Sequence, residues 1–259
     1  MRRSANLPLI PMNTISIYED YTHNNGVLTL AVQDAWPHAK ILHMDAAEIA
    51  EGKLEGCDLF IIPGGASLYY SEKLDGAGNA AIRKWVEAGG TFLGICAGAY
   101  YACGKIDWAR ETQYAITRDG ELNFFEGCAT GPIKDFIEDG DVDKCWDALI
   151  TLQQPDGTSF QALYAAGPIF DEPKADAPLQ VIARYADLEG CPPAILAGSI
   201  GKGRVVLSAV HLEYSKDLYS RALYQHRNPY KIWQDKLLAN WPEDKAANLP
   251  LLRQFVEAD

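Results

Sequence analysis

The sequence predicts an α/β protein with a mostly parallel central sheet, an antiparallel β insertion and C-terminal helices. Three observations predict it. In the first hundred residues four short apolar runs rich in strand formers alternate with helical periodicity, which implies parallel strands joined by right-handed crossovers. From Thr112 to Tyr185 the texture changes to short β-like runs between turn residues. From Ser215 onward Leu218, Leu223, Leu237, Leu238, Leu252 and Phe255 follow a helical pattern punctuated by Pro229, Pro242 and Pro250.

The elements follow in order. Thr14 to Tyr18 reads as the first strand and ends in the polar crest Glu19-Asp20-Tyr21. Val27 to Trp36 is helical and stops at Pro37; Lys40 to Met44 is the second strand, and Asp45 caps the helix after it. Leu59 to Ile62 is a buried strand that runs into Pro63-Gly64-Gly65. Asn79 to Ala88 places Ile82, Trp85 and Val86 on one helical face and closes at Gly89-Gly90. Thr91 to Ile95 is the fourth strand. In the insertion, Tyr114 to Thr117, Leu149 to Gln153, Ser159 to Tyr164 and Val181 to Tyr185 read as strands, with a turn at Pro155-Asp156-Gly157. Ala194 to Ile200 and Arg204 to Ala209 form a hairpin about Gly201-Lys202-Gly203, and its second strand leads to His211-Leu212-Glu213. The expected layout is one domain over 14–259, with 112–200 inserted, 215–259 as C-terminal helices and 1–13 as an N-terminal extension.

Composition narrows the function classes. A chain of 259 residues, 48% hydrophobic, can bury a large core. Lysine and arginine number 23 against 35 acidic residues, a net charge of −12, which argues against nucleic acid or an anionic membrane as partner. No apolar run reaches transmembrane length, and the N-terminus lacks the apolar segment of a signal peptide. Cysteines 57, 96, 103, 128, 145 and 191 have no C-x-x-C spacing, so a reduced, cytoplasmic protein is expected. His23, His38, His43 and His226 lack metal-ligand spacing, and the acidic run Glu138 to Asp143 lacks the distal glutamate of a calcium loop. No phosphate-binding glycine motif follows a strand. Neither a metal nor a cofactor is expected.

The chemistry centres on Leu93 to Tyr101, LGICAGAYY. A G-x-C-x-G turn between a buried strand and a helix resembles a nucleophile elbow, where a strained turn presents the side chain and small neighbours make room. The following helix aims its N–H groups and positive dipole end at the thiol. The plainer alternative is a buried cysteine in a Gly/Ala-rich turn. Ligands of open α/β sheets bind beyond the carboxyl ends of the strands, and three pieces fall there. Cys96 follows one strand, and Gly64-Gly65 follows its neighbour with unhindered N–H groups for an oxyanion. His211 and Glu213 follow the late strand, spaced so that a base and its orienter point the same way. Tyr69, Tyr70, Tyr100 and Tyr101 surround the elbow in sequence and serve as pocket walls or as core. Glu19 and Arg118 are candidates to reach the site, and Cys103 and Cys128 read mainly as packing.

The chain-order pattern PGG, G-x-C-x-G and H-x-E resembles the class I glutamine amidotransferase-like superfamily. Pro63 to Ala102 looks like the N-terminal amidotransferase-like domain of eukaryotic biotin–protein ligases and its free-standing bacterial relatives. Phe124 to Ile133, Leu163 to Phe170 and Gly201 to Glu213 match later blocks of that family, and the resemblance spans roughly residues 14 to 250. It implies a flavodoxin-like three-layer fold, Cys96 as nucleophile, His211 as base and Glu213 as its orienter. It also implies an oxyanion hole from Gly65 and the N–H of Ala97. From their place around the elbow, Gly64, Tyr69, Tyr70 and Tyr100 are the candidate pocket residues. Leu212 departs from the proline that many amidotransferases carry between the triad residues, which would loosen the turn. No synthetase or ligase half is seen in these residues, and Gly201 to Arg204 sits in a hairpin, so biotin ligase activity is not expected of this chain alone.

Two function classes follow. One is a Cys-His-Glu amidohydrolase or amidotransferase acting on a small amide through a thioester, with an acceptor protein or a separate synthetase as partner. The other is a catalytically idle module that binds a small molecule in the inherited pocket. A peptidase-like hydrolase would use the same triad in a more open cleft.

Overall fold

A computed structural model describes residues 12–223, 230–242 and 248–258. Most of the expected N-terminal extension, together with His226 and Pro229, lies outside the described residues. Along the chain the elements begin β1 (Thr14–Tyr18), α1 (Asn25–Ala35), β2 (Lys40–Met44), α2 (Ala46–Ala50), β3 (Leu59–Ile62), α3 (Ser67–Leu74), α4 (Ala77–Ala88), β4 (Thr91–Ile95) and α5 (Ala97–Tyr101). Then come β5 (Cys103–Trp108), β6 (Ile116–Asp119), β7 (Phe125–Gly131), β8 (Asp147–Gln153), β9 (Ser159–Ala165), β10 (Ile169–Phe170), β11 (Leu179–Tyr185), β12 (Pro193–Ile200) and β13 (Gly203–Ser208). Helices α6 (Lys216–Leu223), α7 (Lys231–Asn240) and α8 (Leu249–Glu257) end the chain.

The fold is mixed α/β about a nine-stranded sheet of order β2-β1-β3-β4-β13-β12-β11-β8-β9. The first five strands in that order pair in parallel and the rest antiparallel. Every residue of β3 and β4 is buried. Successive side chains on a strand face opposite ways, so both faces of the sheet centre are covered, which is why these strands read as unbroken apolar runs. Helix α1 packs with α6 and α8, while α2 to α5 pack among themselves. The Asp45 side chain accepts from the Glu48 N–H at 2.8 Å, and Glu48 reaches back to the Asp45 N–H, closing a capping box.

The inserted region divides in two, and the second part is a correction. Its strands β8, β9, β11 and β12 continue the main sheet as an antiparallel wing. Strands β5, β6, β7 and β10 form a second sheet of order β10-β7-β5-β6 that starts at Cys103, well before residue 112, and in which β5 and β7 run parallel. β7 reads FEGCATG, rich in small residues with low strand preference. Pairing with β5 on one side and β10 on the other makes it a strand. Helix α3 was also not visible in the pattern: Ala66 precedes it without a side-chain cap.

Candidate active site

Cys96 sits between β4 and α5 with φ 50° and ψ −105°, a strained conformation for a residue with a side chain. The glycines on either side explain the motif. A Cβ on Gly94 would lie 2.7 Å from the Gly98 carbonyl oxygen, and a Cβ on Gly98 would overlap the Ile62 carbonyl oxygen. The G-x-C-x-G pattern is thus a close approach of β3, β4 and α5, and it forces Cys96 out over the ends of the strands. Helix α5 has only five residues, so its dipole is weaker than the helical pattern suggested.

His211 and Glu213 lie in a turn after β13 rather than on the strand. The His211 N–H donates to the Leu163 carbonyl at 2.8 Å, which pins the turn to β9. Leu212 is buried, and with it in place Glu213 Oε1 stands 2.7 Å from His211 Nδ1. Both side chains are nearly enclosed. Burial alone lowers the basicity of His211; the Glu213 carboxylate, with Cys96 beside it, outweighs that and holds the imidazole well above its ordinary pKa. The Cys96 thiol also lies 3.3 Å from the Ala165 carbonyl oxygen.

Gly64 and Gly65 complete the floor. A Cβ on Gly64 would stand 3.0 Å from His211 Cε1 and 3.8 Å from Cys96 Cβ, so only glycine fits comfortably between base and nucleophile. The Gly64 carbonyl accepts from His23 N–H and Ala66 N–H donates to Tyr21. The backbone N–H groups of Gly65 and Ala97 have no partner among the described residues.

These residues open into a cavity of about 800 Å³ whose lining includes Gly64, Gly65, Cys96, Ala97, His211 and Glu213. Tyr69 lies on its rim, 43% exposed and stacked on Tyr21 with ring centroids 4.8 Å apart. Tyr100 forms part of the wall, its hydroxyl donating to Ala166 and its phenol pushed well up by burial. Tyr70 is a correction. It is fully buried, edge-on to Tyr18 and Tyr101, and its hydroxyl donates to the Pro63 carbonyl behind the Gly64-Gly65 turn instead of lining the cavity. Glu19 does not reach the cavity either, whereas Arg118 does. Cys103 is fully buried against the Ala99 carbonyl, with its thiol pushed well above the usual range by burial.

Sequence reasoning missed most of the far wall. Trp108 and Ile106 from β5, Trp146 just before β8 and Asp147 at its start, and Tyr219 from α6 all line the cavity. None carries a local motif, although Tyr214, next to the H-x-E turn and edge-on to His211 at 5.6 Å, was within reach of one. Among the described residues no three or more His, Cys, Asp or Glu side chains are placed to hold a metal ion. No described helix is long and apolar enough to cross a membrane.

Comparison with known proteins agrees with the sequence resemblance. The chain is 36% identical over 170 residues to an uncharacterised protein of Chlamydia muridarum, a match covering 64% of each. It is 27% identical over 163 residues to the biotin–protein ligase of Schizosaccharomyces pombe, covering 61% of this chain and 26% of the ligase. The chain thus spans less than two thirds of either relative. Among solved structures, a GMP synthase subunit from Thermoplasma acidophilum superposes with TM-score 0.48 at 12% identity, covering 82% of this chain and 93% of that one. A ThuA-like protein from Bacteroides uniformis gives TM-score 0.48 at 11% identity over 97% of this chain and all of that one. The family model for the N-terminal part of biotin–protein ligase matches residues 36–256, which takes in the elbow, the turn after β13 and the second sheet together, and the chain belongs to that family.

Proposed function

We propose that the chain is a Cys-His-Glu amidohydrolase or amidotransferase-like enzyme that forms a thioester with a small amide substrate. One observation carries this reading: Glu213 holds His211 by Nδ1, 2.7 Å away, on the wall of a cavity that Cys96 and His211 both line. Glu213 holds Nδ1, which leaves Nε2 for the thiol proton. The thiolate sulfur attacks the amide carbon, and the carbonyl electrons move to oxygen. The free N–H groups of Gly65 and Ala97 suit that oxyanion. Collapse breaks the C–N bond, and the leaving amine takes the proton from His211. A water deprotonated by the same imidazole then cleaves the thioester, giving acid plus amine and restoring the thiol. Replacing water by another nucleophile makes the reaction an acyl transfer; ammonia or acyl group would pass to a separate synthetase or an acceptor protein.

The test is the rate of iodoacetamide alkylation at Cys96 against pH, read by peptide mass, in wild type and His211→Ala. A fast reaction that depends on His211 and persists below neutral pH is expected, since an unassisted thiol titrates near pH ~8.5. Cys96→Ala should abolish hydrolysis across a panel of small amides. Ordinary thiol titration, indifferent to His211→Ala, would replace the enzyme by a module that binds without turnover.

A further inference from the structure

Strands β5 and β6 pair so that Ile106 lies opposite Arg118 and Trp108 opposite Ile116. Opposed residues on neighbouring strands face the same way, as do residues two apart on one strand. All four therefore share one face of the second sheet, and all four line the cavity above Cys96. The alternate residues Asp107 and Thr117 take the opposite face, where Asp107 is satisfied by Arg110 and Thr117. Arg118 is thereby separated from the carboxylate nearest to it in the ladder.

Arg118 is half-buried, and its side chain has no hydrogen bond or ion pair among the described residues. No other lysine or arginine lines the cavity among them. The two acids on the lining are already engaged. Asp147 accepts from the Tyr219 hydroxyl at 2.6 Å and from the Gln234 amide at 2.8 Å, and Glu213 is held by His211. A guanidinium left without a counter-ion beside Trp108 and Ile106 is a built half-site for an anion. Its planar fork matches a carboxylate. In a protein of net charge −12 a phosphate dianion is disfavoured more than the singly charged carboxylate.

We propose that Arg118 selects the substrate: the cavity takes a carboxylate-bearing amide, with its carboxylate on the Arg118 guanidinium, an apolar linker along Trp108 and Tyr100, and its amide carbonyl at Cys96. The carbonyl end rests on the function proposed above; the carboxylate end rests on Arg118 alone.

The experiment uses the full chain and N-iodoacetyl derivatives of glycine, 4-aminobutyrate and 6-aminohexanoate, each beside its own carboxamide. Labelling of Cys96 is followed by peptide mass. At one linker length the carboxylate should react about tenfold faster than the carboxamide, with saturation. The ratio should fall to near one in Arg118→Gln, survive in part in Arg118→Lys and invert in Arg118→Glu. A ratio near one at every length in the wild type, or one that survives in Arg118→Gln, overturns the proposal. If no reagent labels Cys96, the nucleophile reading fails, and Arg118 is then judged in Cys96→Ala. There, tryptophan emission is titrated with the N-acetyl counterparts of the same acids and amides. Tighter binding of a carboxylate that is lost on adding Arg118→Gln sustains the carboxylate site; equal binding of acid and amide ends it.

Discussion

Glu213 decides the charge state of His211. Its carboxylate, 2.7 Å from Nδ1, is the largest influence raising an imidazole that burial by itself would make less basic. Replacing Glu213 by Gln removes that influence and leaves the burial, so the His211 pKa should drop, which the ring proton shifts against pH would read directly. The same residue links stability to pH. A histidine raised above its unfolded value of about 6.5 contributes stability that is fully present below that value and fades as pH rises through the folded one. The melting temperature of wild type minus that of Glu213→Gln should therefore be greatest in mild acid and shrink toward alkaline pH. A flat or growing difference would contradict the coupling. Single residues were legible where a motif dictates them: the two glycines about Cys96, Gly64-Gly65 and the H-x-E spacing each meet a local steric or bonding requirement. Tyr69, Tyr70 and Tyr100 were not separable in that way. Adjacent tyrosines at the start of α3 differ only in which way the helix turns them, and that places Tyr70 in the core and Tyr69 on the rim.

Elements that obey a strong local rule were also readable. Asp45 and Glu48 satisfy each other's backbone N–H groups at the start of α2, and the D-x-x-E spacing announces it. Asp45→Ala should cost about 1 kcal/mol of unfolding free energy in a denaturant titration, while His211-dependent alkylation of Cys96 stays as in wild type. A loss near zero would mean that tertiary packing, not the cap, holds α2. Elements without such a rule were missed. β5 opens with Cys-Gly directly after α5, and β7 is built from small residues, so neither has a period of its own. They are strands because they pair with each other and because β6 and β10 close the edges. The cavity wall they supply was invisible for the same reason.

Across the whole molecule, burial sorts the six cysteines. Cys57, Cys103 and Cys145 are buried, and burial raises each thiol, Cys145 to about 12. Cys191 is exposed and Cys128 partly so; Cys96 is as buried as Cys57 but, unlike it, lines the cavity. Iodoacetamide on the native chain should modify Cys96, Cys128 and Cys191, and should reach Cys57, Cys103 and Cys145 only after denaturant is added; early modification of Cys103 would contradict the packing around α5. By itself the sequence determined the α/β class, the parallel half of the sheet, the elbow and the family. Those features rest on interactions between residues a few positions apart, which composition and spacing record. Only the tertiary structure decided that β5, β6, β7 and β10 build a second sheet, and that Ile106, Trp108 and Arg118 close over Cys96. Those contacts join segments with no local pattern in common. Their faces are set by strand register, and a shift of one residue would turn Arg118 away from the cavity.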